Sequence, residues 1–139
     1  MLLGIDPLLS ADLLHALRAM GHGDTIAIVD ANFPAATCAR RLIMAPGCDA
    51  DPMLRAVLSV LPIDDFVTEP LVTMQVVDDP AAVPLAVAVF RTLAGVTPMG
   101  SVARHDFYIR ARAAFAIVQT GDQRAYANII LTKGVIGAR

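Results

Sequence analysis

Between Ser10 and Asp30 the chain switches from one periodicity to another, and this switch restricts the fold more than any other feature. Ser10 precedes an apolar stripe at helical spacing, Leu13, Leu14, Leu17 and Met20, with Asp12 in the first turn and Gly21 placed to end the helix. A few residues later comes Thr25-Ile26-Ala27-Ile28-Val29, an apolar run rich in β-branched residues and without alternation. That is the pattern of a strand covered on both faces. It stops at Asp30, ahead of the turn-like Ala31-Asn32-Phe33-Pro34. Such a strand needs a layer above and a layer below, and a helix feeding into it supplies one. The predicted fold class is therefore α/β, an α/β/α layered domain.

The rest of the sequence extends this reading. Asp51-Pro52 reads as an N-cap with proline at the first helical position, followed by the apolar face of Met53, Leu54, Val57, Leu58 and Leu61 up to Pro62. The pattern predicts a strand over 71–77, a helix over 84–93 ended by Gly95, and a helix over 106–114. Two more strands, over 115–120 and 126–132, flank the turn signal Gly121-Asp122, which predicts an antiparallel hairpin and a mixed central sheet. With no repeat, no low-complexity tract and no linker, residues 1–139 read as a single domain.

Composition narrows the partners. Hydrophobic residues make up 56% and charged residues 17%, against the roughly 25% charged of an ordinary soluble domain. The longest apolar run, over 81–90, is short and interrupted by Pro84, so no membrane partner is expected. The apolar excess then points to contact between subunits, a homo-oligomer. Net charge is −2 and the arginines are scattered, which leaves no footprint for a phosphate backbone and no nucleic-acid partner. The first seven residues lack a basic, signal-like pattern, and Cys38 and Cys48 lack CxxC spacing. The expectation is a cytoplasmic protein with reduced thiols.

Gly21-His22-Gly23-Asp24 is the densest polar concentration. Glycines on both sides leave room beside the imidazole, and histidine both gives and takes a proton near neutrality. Spacing alone favours the plainer reading, a helix-ending glycine and a solvated histidine. Asp30 ends the buried strand, where carboxylates in open α/β sheets grip ligand hydroxyls, or it simply forms a turn. Tyr126 and Asn128, two apart in a predicted strand, share a face suited to a polyhydroxylated ligand, or face solvent at an edge. Arg104 offers a fork of donors or is a surface residue near a helix start, while His15 and His105 read as structural or exposed. No HxH, HExxH or CxxC pattern supports a metal, and no glycine-rich phosphate loop supports a nucleotide cofactor.

Taken together, Gly21-His22-Gly23-Asp24, Asp30-Ala31-Asn32-Phe33-Pro34, Arg104 with Phe107-Tyr108, and Tyr126-Ala127-Asn128-Ile129 resemble, in order and spacing, the ribose pyranase and fucose mutarotase (RbsD/FucU) family. The resemblance spans almost the whole chain. Phe33-Pro34, Phe107-Tyr108, and Phe115-Ala116-Ile117-Val118 followed by Thr120-Gly121 are more similar to the fucose branch. The resemblance implies an RbsD-like fold and a cofactor-free isomerase, a mutarotase acting on a free monosaccharide, L-fucose by this branch. It implies His22 as the catalytic acid and Asp30, Arg104, Tyr126 and Asn128 as sugar contacts. The chemistry of ring opening also needs a group to take the anomeric proton, and Tyr126 or a bound water is expected in that role. The resemblance implies no metal, and a ring-shaped decamer with pockets close to subunit contacts. A D-ribose pyranase, a non-catalytic monosaccharide-binding accessory of uptake and a purely structural oligomer remain as alternatives.

Overall fold

The computed structural model describes residues 1–137. Helix α1 (Ala11–Ala19) begins where the cap signal places it: Ser10 Oγ accepts from the backbone N–H of Leu13 at 3.2 Å. Strand β1 (Thr25–Val29) follows, then the short α2 (Ala35–Cys38), β2 (Leu42–Ala45), α3 (Ala50–Leu58) and β3 (Leu71–Met74). After these come α4 (Leu85–Ala94), β4 (Met99–Val102), α5 (Arg104–Ala113), β5 (Ala116–Thr120) and β6 (Ile129–Thr132). No described helix is long and apolar enough to cross a membrane.

The six strands form one mixed sheet in the order β2-β5-β1-β6-β3-β4. Every neighbouring pair is parallel except those of β6, which runs antiparallel to both β1 and β3. Alternation along β1 builds two cores. Ile26 and Ile28 pack with Leu13 and Leu17 of α1, Met53, Leu54 and Val57 of α3, and Phe90 of α4. Ala27 and Val29 point the other way, to Phe33, to Cys38 of α2, and to Phe107 and Ala111 of α5. This is the α/β/α arrangement, and β1 is apolar at every position because it lies between both helix layers.

Four local expectations change. The hairpin does not form, because β1 lies between β5 and β6 and the chain crosses over it through residues 121–128. Gly121 is needed for close approach rather than for a turn: a Cβ there would sit 2.1 Å from the carbonyl oxygen of Pro46. Strand β6 starts at Ile129, so Tyr126 and Asn128 precede it, and Tyr126 takes a left-handed φ of 62°. Helix α3 starts one residue before Asp51, with Asp49 at the N-cap position. Its first N–H, that of Ala50, donates to a carboxylate oxygen of Asp122, 72 positions away. Helix α5 starts at Arg104 rather than at 106. The edge strands β2 and β4 carry no strong sequence signal, since both are four residues long and partly exposed.

Candidate active site

The polar residues singled out above divide between the two ends of β1. At the end where β1 starts, Gly23 adopts a φ of +85°, a conformation that a side chain would strain. Its N–H donates to the Lys133 carbonyl at 2.9 Å, and the N–H of Lys133 donates to the Asp24 carbonyl at 2.8 Å, tying the loop to the end of β6. The Lys133 ammonium donates to the carbonyls of Leu17 and Met20, placing a cation where α1 ends and its dipole is negative. His22 emerges from this frame with its side chain 43% exposed. Its Nε2 lies 2.8 Å from Oδ1 of Asp64, whose side chain is 2% exposed. The other carboxylate oxygen accepts the N–H groups of Val67 at 3.0 Å and Phe66 at 3.2 Å. Burial pushes the Asp64 carboxyl up, but His22 and the two backbone donors outweigh it and hold the group below its ordinary value. The Phe66 ring packs against the imidazole, with centroids 5.1 Å apart.

At the end where β1 stops, Asp30 is buried and its Oδ1 accepts from the N–H of Asn32 at 2.9 Å. Burial raises its carboxyl above the ordinary value, with hydrogen bonds from Asn32, Phe33 and Asn128 opposing and the nearby Asp122 adding to the rise. Asn128, also buried, accepts the Asp30 N–H through Oδ1 at 2.9 Å. Gln119 Nε2 donates to the Phe33 carbonyl at 2.8 Å and reaches that of Ala31 at 3.3 Å, so the turn after β1 is held from β5. The half-buried Tyr126 accepts the Val77 N–H on its hydroxyl at 3.2 Å and lines a hollow of about 390 Å³ with Val76, Val83 and Leu85. Tyr126 and Asp78 both take a φ of 62°. Such strain costs about 1–3 kcal/mol per residue and persists where the surroundings impose it, a pattern common at functional sites. Arg104, exposed at the first position of α5, follows β4 and so stands at this same end of the sheet, beyond β3.

The loop carrying Tyr126 is anchored by a charged network. Asp122, fully buried, accepts from the Ala50 N–H at 2.9 Å and from Arg124, and Arg124 also bonds Asp51. Burial works against ionising Asp122, but Arg124 and Ala50 hold its carboxyl below the ordinary value, and the pairing raises the guanidinium's own pKa. Asp49, Asp51 and Asp122 come close enough to share a cation, yet two of the three already hold Arg124.

One chain therefore brings Asp30, Asn128 and Tyr126 to the end of β1, with Arg104 on the same end of the sheet, and places His22 at the other. With five residues in β1, at about 3.3 Å per residue the two ends are roughly 16 Å apart. Sequence reasoning missed Asp64, Gln119 and Asp122. Each acts on a partner 42 to 86 positions away, so no local spacing marks it.

Residues 3–136 match the model of the RbsD / FucU transport protein family. The chain is 40% identical to an L-fucose mutarotase of Haemophilus influenzae, covering 97% of each. It is 39% identical to a human fucose mutarotase, over 96% of this chain and 93% of that one. Its fold superposes on the crystal structure of the fucose mutarotase of Streptococcus pneumoniae in complex with L-fucose with a TM-score of 0.92, at 38% identity over 98% of this chain and all of that one.

Proposed function

The chain belongs to the RbsD / FucU transport protein family, and from that premise we propose that it is a cofactor-independent isomerase interconverting the anomers of L-fucose. The observation that carries this reading is an exposed imidazole whose one ring nitrogen is committed to a buried carboxylate, which leaves the other for a ligand. Mutarotation asks for little more. The ring oxygen gains a proton as its bond to the anomeric carbon breaks, the anomeric hydroxyl loses one, and the open aldehyde recloses on its other face. His22 protonates the ring oxygen, Tyr126 or a water takes the hydroxyl proton, and Asp30, Arg104 and Asn128 hold the sugar.

These groups meet if a second copy brings its His22 end against the Asp30 end of the first. Exposed apolar residues support this contact: Phe66 and Val67 beside His22, and Val83 and Leu85 beside the Tyr126 hollow. Joining two different surfaces head to tail generates a ring when the rotation closes. We place the chain in a ring-shaped homo-oligomer, a decamer, acting in the cytoplasm, where a reducing environment suits the free thiols of Cys38 and Cys48.

Saturation-transfer NMR on L-fucose tests both parts. His22→Ala abolishes the protein-dependent anomer exchange while the circular dichroism spectrum is unchanged; exchange at the wild-type rate refutes the role of His22. Rings co-assembled from equal amounts of His22→Ala and Asp30→Asn chains contain both intact halves in roughly a quarter of their sites. Activity above that of either variant alone is expected, and its absence refutes the shared site.

A further inference from the structure

We propose that Asp64 is the positioning residue for proton transfer, locking His22 so that Nδ1 is the nitrogen that exchanges a proton with the sugar. The inference rests on the reading of His22 given above and extends it to a residue that does not touch the substrate.

Both carboxylate oxygens of Asp64 are committed, one to Nε2 of His22 at 2.8 Å and the other to the N–H groups of Phe66 and Val67. The carboxylate therefore has little freedom to rotate. Its backbone is as firmly held: the Asp64 N–H donates to the Thr132 carbonyl at 3.0 Å at the end of β6. Gly134 lies so close that a Cβ there would come within 2.8 Å of the Asp64 Cα. The imidazole is thus referenced to the central sheet, although His22 itself sits in an exposed loop.

The chemical consequence follows from the donor inventory. An ionised carboxylate only accepts hydrogen bonds, so the Nε2 facing it carries a proton in both charge states of the ring. The group that gains and loses a proton is then Nδ1. With His22 as imidazolium, Nδ1–H passes its proton to the ring oxygen, which keeps the electron pair of the breaking bond to the anomeric carbon. Neutral imidazole with Nε2–H remains and takes the proton back on reclosure. Asp64 stays a carboxylate throughout and stabilises the imidazolium. Phe66, against the ring at 5.1 Å, restricts its tilt.

The decisive variant is Asp64→Asn. Two backbone N–H groups must still be accepted, so the amide oxygen takes their side and the NH2 turns to His22. Its ring then presents Nε2 as acceptor and carries hydrogen on Nδ1, the wrong tautomer. The expected result is a kcat at least about tenfold lower, approaching that of His22→Ala, with KM for L-fucose within about twofold of wild type. Nitrogen-15 spectra of the imidazole report the tautomer directly: Nε2–H in the neutral wild-type ring, Nδ1–H in the variant. Wild-type kcat in folded Asp64→Asn protein, or an Nδ1–H tautomer in the neutral wild-type ring, overturns the proposal. The wild-type spectrum decides even if the variant does not fold. If His22→Ala is fully active, the function reading itself fails. If that variant is dead while Asp64→Asn keeps its kcat, only the role of Asp64 fails.

Discussion

Removing the Asp122 carboxylate tests whether the loop that carries Tyr126 and Asn128 is fastened to α3. In Asp122→Ala the Ala50 N–H loses its acceptor, and losing a helix-start acceptor costs about 0.5–2 kcal/mol. Arg124 loses one of its two carboxylate partners. Stranding one member of a fully buried pair costs about 3–5 kcal/mol. Arg124 is 32% exposed and keeps Asp51, so water and the second carboxylate reduce that part to roughly 1–2 kcal/mol. Together the loss is about 1.5–4 kcal/mol. For 139 residues, an unfolding entropy of about 2.1 cal/mol/K per residue turns this into a fall in Tm of roughly 5–14 °C. Thermal and urea unfolding at matched protomer concentration measure it. The carboxyl is held below its ordinary value of 3.8, so its stabilising contribution is complete above that value and fades as pH falls through the depressed one. The difference from wild type is therefore full at pH 7 and shrinks only in strong acid. A loss under about 1 kcal/mol at pH 7 refutes the proposed fastening.

Two comparisons extend the test. Gly121→Ala sets a Cβ 2.1 Å from the backbone oxygen of Pro46, whereas the nearest atoms to a Cβ in Gly100→Ala belong to the Glu69 carboxylate, at 2.0 Å. The first lowers stability by about 1–3 kcal/mol or more and the second by under about 1 kcal/mol, since an exposed side chain swings away and a backbone does not; equal losses in denaturant melts contradict this. Asp30→Asn raises Tm at pH 7 and weakens L-fucose binding by titration calorimetry. The burial-raised carboxyl binds its proton more tightly folded than unfolded, so stability falls as pH rises through the window above its ordinary value of 3.8. A variant no more stable than wild type at pH 7 argues against that cost of burial.

Where backbone and side chain answer to near neighbours, the sequence was legible. Ser10 caps α1, β1 runs from Thr25 to Val29, Gly95 ends α4, and the sheet is mixed between helix layers, because caps, periodicity and two-sided burial are written within a few residues. The predicted hairpin failed because a turn signal reports a reversal of the chain, and cannot report that β1 lies between the two strands. The start of α3 shifted for a related reason, its cap arriving from Asp122 across the fold.

By itself, then, the sequence determined the layered α/β class, the two-sided burial of β1, and which short motifs carry polar chemistry. Only the tertiary structure decided that Asn128 joins Asp30 at the end of β1, and that His22 answers to Asp64. The physical reason is that hydrogen bonds such as His22 to Asp64 and Asp30 to Asn128 join residues 42 and 98 positions apart, which only folding brings within reach.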